Sequence, residues 1–112
     1  MEARKLGFLS SLGWTSTENA DAYERLLRTE IFEGIAARSI EGFLGIDLLR
    51  RDHAKEVEFV TIMWFASLAA VRSFVGTDYE AAVVPPAARA LLRRFDPRSV
   101  HYEVRERRAA PD

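Results

Sequence analysis

The stretch Glu56-Val57-Glu58-Phe59-Val60-Thr61-Ile62-Met63-Trp64-Phe65 is the most informative in the chain. Val57, Phe59, Thr61, Met63 and Phe65 take one strand parity, and Glu58, Val60, Ile62 and Trp64 take the other. Ten residues rich in β-branched and aromatic side chains read as a strand. A sheet with one solvated face alternates apolar with polar, whereas here both parities are largely apolar. Both faces of this strand are therefore expected to be covered, one by helices and the other by a partner subunit.

Outward from this strand, Asp52 to Lys55 reads as a turn, and the segment opened by Gly42 and Gly45 and continued by Ile46, Leu48 and Leu49 reads as the strand before it. Strands so closely spaced form an antiparallel hairpin. On the other side, Ser67 can cap a short helix carrying Leu68, Val71 and Phe74, with Gly76 as its stop. Further upstream, Tyr23, Leu27, Ile31 and Ile35 recur every fourth residue, with Leu26 widening the stripe, which predicts an amphipathic helix of about five turns. Ser16 or Thr17 is placed to cap it, with Glu18 and Asp21 in its first turn.

Gly7 to Trp14, with Phe8, Leu12 and Trp14 on one parity, reads as the first strand. Pro85–Pro86 opens another short helix running through Arg94, and Ser99 to Arg105 alternates as a last strand. The order is strand, helix, strand, strand, helix, short helix, strand. This predicts an α+β fold, a ferredoxin-like βαββαβ antiparallel sheet with its helices on one face. All 112 residues form a single expected domain, with its core over about 7–105 and a polar tail after it.

Composition narrows the function classes. An apolar fraction of 48% with 29% charged residues is that of an ordinary globular protein. The longest apolar stretch, Phe59 to Val71, is interrupted and too short to span a bilayer. The first residues show no leader-type cleavage pattern, so a cytoplasmic location and no membrane association are expected. The absence of cysteine removes disulfides, thiolate nucleophiles and zinc–cysteine sites. Only Lys5 and Lys55 are lysine among 16 basic residues, yet acidic residues balance them to a net charge of -1, so no nucleic-acid partner is expected. His53 and His101 are too far apart to suggest a metal site, and no phosphate-binding glycine loop or Ser-His-Asp pattern is present.

The stretch Glu58 to Phe74, EFVTIMWFASLAAVRSF, resembles the strand-and-helix signature of the antibiotic biosynthesis monooxygenase family. That signature is a hydrophobic strand ending in tryptophan, then Ser-Leu and a small residue leading to phenylalanine. Trp14, Tyr23, Gly42–Phe43–Leu44–Gly45 and His101–Tyr102–Glu103–Val104 agree in order, so the resemblance spans roughly Gly7 to Val104. It implies a homodimer in which two ferredoxin-like sheets face one another as a dimeric α+β barrel. It also implies oxidation of a small phenolic or quinol-like aromatic by molecular oxygen, with no metal or flavin cofactor. A haem-degrading relative would carry a histidine on the helix after the tryptophan, and Ser67 to Gly76 has none.

Such chemistry needs an apolar pocket, a group that takes a proton, and donors for the anion that results. His101 is the candidate catalytic base, since imidazole titrates near neutrality; a histidine satisfied within the sheet or paired at a dimer surface is the alternative. Trp64 and Trp14 are candidates to line an aromatic site, Tyr79 to cover it, and Arg72 to neutralise a substrate anion. The same residues fit core, loop-anchor or surface roles. His53, in the turn, is expected to be solvent-exposed. Two other functions remain open alongside the oxygenase: a non-catalytic dimeric ligand-binding or regulatory module, and a non-oxidative, isomerase-like protein on the same fold.

Overall fold

In a computed structural model of the chain, residues 6–75 and 85–111 are described. Strand β1 (Gly7–Ser16) leads to a helical run made of α1 (Ala20–Leu26), a π-helical turn (Leu27–Ile31) and α2 (Phe32–Ala37). Strands β2 (Phe43–Asp52) and β3 (Glu56–Phe65) form the hairpin, followed by α3 (Leu68–Val75), α4 (Pro86–Leu91), β4 (Leu92–Phe95) and β5 (Val100–Glu103). The sheet runs β2-β3-β1-β4, with β5 also pairing β1, and every pairing is antiparallel. This is the ferredoxin-like arrangement expected from the sequence, with the last strand in two pieces.

Local signals account for most element boundaries. The Ser16 hydroxyl accepts a hydrogen bond from the Asn19 amide at 3.1 Å, just ahead of α1, and the Ser67 hydroxyl accepts from the Ala70 amide at 3.1 Å, capping α3. The Gly76 stop lies outside the described residues. Spacing of exactly four residues drifts by about 40° per step around an α-helix, because each residue turns about 100°. The wider π-turn at Leu27–Ile31 offsets part of that drift and helps hold Tyr23, Leu27, Ile31 and Ile35 toward the sheet.

The short helix after Pro85–Pro86 ends sooner than expected. It stops at Leu91, and Leu92–Phe95 is strand rather than helix. Its partner explains the switch: Gly13–Thr15 of β1 present an edge, and Leu92, Arg94 and Phe95 pair with it. The Asp96 amide extends the ladder to the Leu12 carbonyl at 2.9 Å. The chain then breaks, and β5 resumes against Gly7–Ser10.

Packing divides the sheet into two faces. On one, Leu9, Thr15, Val57, Phe59, Met63 and Phe65 are buried beneath the helices. Tyr23 and Leu27 gather with Val57, Phe59 and Ala88 in one cluster, while Val71 joins Leu9, Met63 and Phe65 in another. The opposite parity carries Phe8, Leu12, Trp14, Val60, Ile62 and Trp64, all half-buried, with Leu49, Val100 and Tyr102 at 48%, 40% and 52% exposure. No helix of the described chain covers this second face; from the segment after β5, the Arg107 guanidinium reaches it, 5.4 Å from the Trp64 ring centroid. Among the described residues, no helix is long and apolar enough to cross a membrane.

Candidate functional site

The two core clusters do not meet everywhere, and a cleft opens between the helical run and the sheet. Its inner lobe, about 110 Å³, is walled by Leu27, Ile31 and Phe32 above and by Ser11, Thr61 and Met63 below. Its outer lobe, about 300 Å³, shares Ser11, Ile31, Ile35 and Met63, and opens between Gly34, Arg38 and Phe74. The outer lobe alone reaches the lower end of the volume range of small-molecule sites, and the apolar walls with a few polar groups match their character.

The polar groups come from distant parts of the chain. Ser11 and Thr61 are cross-strand partners on the buried parity, each set between large or close-packed neighbours. The Ser11 and Ser99 hydroxyls lie 3.1 Å apart, within hydrogen-bond distance, and Ser99 is 2% exposed. Tyr23 lines the inner lobe, and burial pushes its phenol above the usual tyrosine range, so it stays protonated. The cleft therefore offers hydroxyl donors and acceptors in an apolar slot. That suits an apolar ligand with a few polar groups better than a highly charged one.

Of the residues anticipated from the sequence, those that are described do not line the cleft walls. His101 pairs with Leu9 across β1 and β5, so it shares the cleft-side parity, two positions from Ser99. Its Nδ1 is buried. Trp64 lies on the opposite face, where its indole N–H donates to the Asp47 carboxylate at 2.8 Å and its ring stands 4.9 Å from Phe8. Trp14 is on that face too, beneath the Arg94 guanidinium at 3.8 Å, which also reaches Glu56 at 2.6 Å. Arg72 is exposed on α3. Tyr79 lies outside the described residues. His53 is exposed as expected, with its Nε2 2.9 Å from Glu58.

Ser11, Thr61, Ser99 and Tyr23 were not anticipated as site residues. Two of them carried a signal, because Ser11 and Thr61 are small polar residues on the apolar parity of central strands. Ser99 did not, since it meets Ser11 across 88 positions of sequence. Among the described residues, no group of three or more histidine, aspartate or glutamate side chains could hold a metal ion.

No family model matches the chain, and no curated protein matches it. Solved structures do match it. A Bacillus cereus protein described as a putative antibiotic biosynthesis monooxygenase superposes with a TM-score of 0.67 at 16% identity, covering 95% of this chain and 99% of that one. SnoaB, a cofactor-independent oxygenase from Streptomyces nogalater, superposes with a TM-score of 0.55 at 21% identity, covering 98% and 100%. At these identities the likeness is one of fold. It extends over nearly the whole chain and agrees with the fold that the resemblance of Gly7 to Val104 implied.

Proposed function

We propose that the helix–sheet cleft binds a small planar aromatic, phenolic or quinol-like metabolite and oxidises it with molecular oxygen, using no metal or flavin. The observation that carries this reading is the apolar slot into which Ser11, Thr61 and Ser99 converge. The fold shared with a cofactor-independent oxygenase supports it. With an anthrone-type substrate, the keto tautomer of a phenol, the acidic ring methylene loses a proton to a base, and the resulting electron-rich phenolate reduces oxygen and combines with it. A C–O bond forms, the O–O bond then breaks, and the methylene plus O₂ become a carbonyl plus water.

The chain's part is to bind, orient and shield. Apolar walls exclude water and strengthen every polar contact within. Thr61, and whichever of Ser11 and Ser99 accepts rather than donates in their mutual hydrogen bond, supply hydroxyl protons to the oxygen that gains charge. His101, on the cleft-side parity beside Ser99, takes the proton. Because His101 borders the described cleft walls instead of forming part of them, the second reading is a ligand-binding module without turnover.

Oxygen uptake by metal-stripped, flavin-free protein against anthrones, hydroquinones and catechols separates the readings. Uptake well above boiled protein, with quinone formation, is expected, and His101→Ala should lower it about 10²-fold or more. Unchanged turnover in that variant removes His101 from the mechanism. Product formed without oxygen would select an isomerase-like reaction, and binding with no product would select the ligand-binding module.

The second sheet face supports a homodimer. Phe8, Leu12, Val60, Ile62 and Trp64 make a contiguous apolar surface, and a second copy placing the same face against it would close an α+β barrel. Sedimentation at micromolar concentration is expected to give twice the 12.7 kDa chain mass. Ile62→Asp should shift it to monomer, since the new carboxylate would be buried unpaired. A wild-type monomer at that concentration would rule this association out.

A further inference from the structure

Gly34 sits inside α2, where glycine is a poor choice. It has no positive backbone φ to justify it, unlike Gly42. Among the described residues, a Cβ built on it would meet nothing within 4 Å, so close packing there does not require it either. Glycine in a helix interior weakens the helix relative to alanine through its extra backbone freedom. What Gly34 does is leave the rim of the outer lobe bare.

The charges on either side give that bare rim a direction. Glu30 lies one turn before Gly34 and Arg38 one turn after it, and both border the same lobe. The Arg38 guanidinium lies 5.0 Å from the Phe74 ring centroid, a contact that holds it in place without cancelling its charge. None of the ion pairs among the described residues involves Arg38. A planar guanidinium is suited to gripping a carboxylate through two parallel N–H donors. Glu30 disfavours the same anion at the other end.

We infer that Gly34 and Arg38 form a rim subsite that admits an aromatic ligand across the bare helix surface and pairs its anionic substituent, a carboxylate, with Arg38. The inference rests on the aromatic-ligand reading of the cleft. It adds that the ligand is an aromatic acid lying with its rings toward Ser11 and Met63 and its carboxylate at the α2 end.

Two fluorescent probes of equal shape test this: anthracene-2-carboxylate and anthracene-2-carboxamide, titrated into the full chain at pH 7. Wild type is expected to favour the carboxylate about fivefold, as a partly exposed ion pair allows. Arg38→Gln should equalise the two probes, and Glu30→Gln should widen the preference. Gly34→Leu should raise Tm by a few degrees through helix propensity while weakening both probes about tenfold or more by filling the rim. A side chain that stabilises the fold and blocks binding cannot be acting through misfolding. Equal binding of the two probes by wild type, or a preference that survives Arg38→Gln, overturns the Arg38 assignment and leaves the aromatic cleft standing. Undiminished binding by Gly34→Leu overturns the Gly34 assignment. If wild type binds neither probe, the cleft reading and the rim subsite fall together.

Discussion

Phe65→Ala should lower the unfolding free energy by about 3–5 kcal/mol, the usual cost of emptying a buried phenylalanine site. Phe65 is 0% exposed, and its ring centroid lies 5.7 Å from that of Phe43 and 5.6 Å from that of Phe74. It thus joins the start of β2, the end of β3 and α3 in a single contact set. Domains of this size are ordinarily stable by about 5–15 kcal/mol, so the variant would lose a large part of its margin. Urea denaturation should show the midpoint falling with little change in slope. A loss below about 1 kcal/mol would mean that the α3 side of the core is not packed as described.

Gly42→Ala should cost about 2–4 kcal/mol, from two separable sources. Gly42 has φ +81°, a conformation that a side chain opposes. A Cβ there would also stand 2.6 Å from the Ala70 Cβ, so α3 would have to move away from the entrance of β2. The Gly42 carbonyl accepts from the Ala66 amide at 2.7 Å, which ties the two segments together just where they would be pushed apart. A double-mutant cycle with Ala70→Gly isolates the steric part: the pair should be less unstable than the sum of the singles by about 1–2 kcal/mol. Additivity within about 0.5 kcal/mol would leave only the dihedral effect. Gly45→Ala is the control, since no described residue lies within 4 Å of its added Cβ and its φ is not positive.

The candidate site divides between residues with local signals and residues without them. The polar residues Ser11 and Thr61 stand out on the buried parity, but their meaning depends on the register that makes them neighbours. His101 drew attention through its chemistry, and strand pairing then placed it on the cleft-side parity. The tryptophans drew attention through size and position at strand ends, yet alternation alone does not say which parity the helices cover. The structure puts Trp64 and Trp14 on the other side, on a sheet face that no described helix covers, with the Arg107 and Arg94 guanidiniums over their rings.

By itself, the sequence determined whatever is encoded in short-range pattern. The every-fourth apolar stripe from Tyr23 to Ile35, the Asp52–Lys55 turn, the Ser67 cap and the two-sided apolarity of Val57 to Phe65 are local facts, because helix and strand periods arise from backbone geometry a few residues long. Tertiary structure decided the rest. Leu92–Phe95 is strand because the unpaired edge of β1 offers it hydrogen bonds that outweigh local helix preference. The cleft exists because two hydrophobic clusters, one around Phe59 and one around Phe65, form on the same sheet face without closing the space between them. Ser11 and Ser99 become neighbours only when β1 and the segment before β5 lie side by side, a pairing set by the whole sheet.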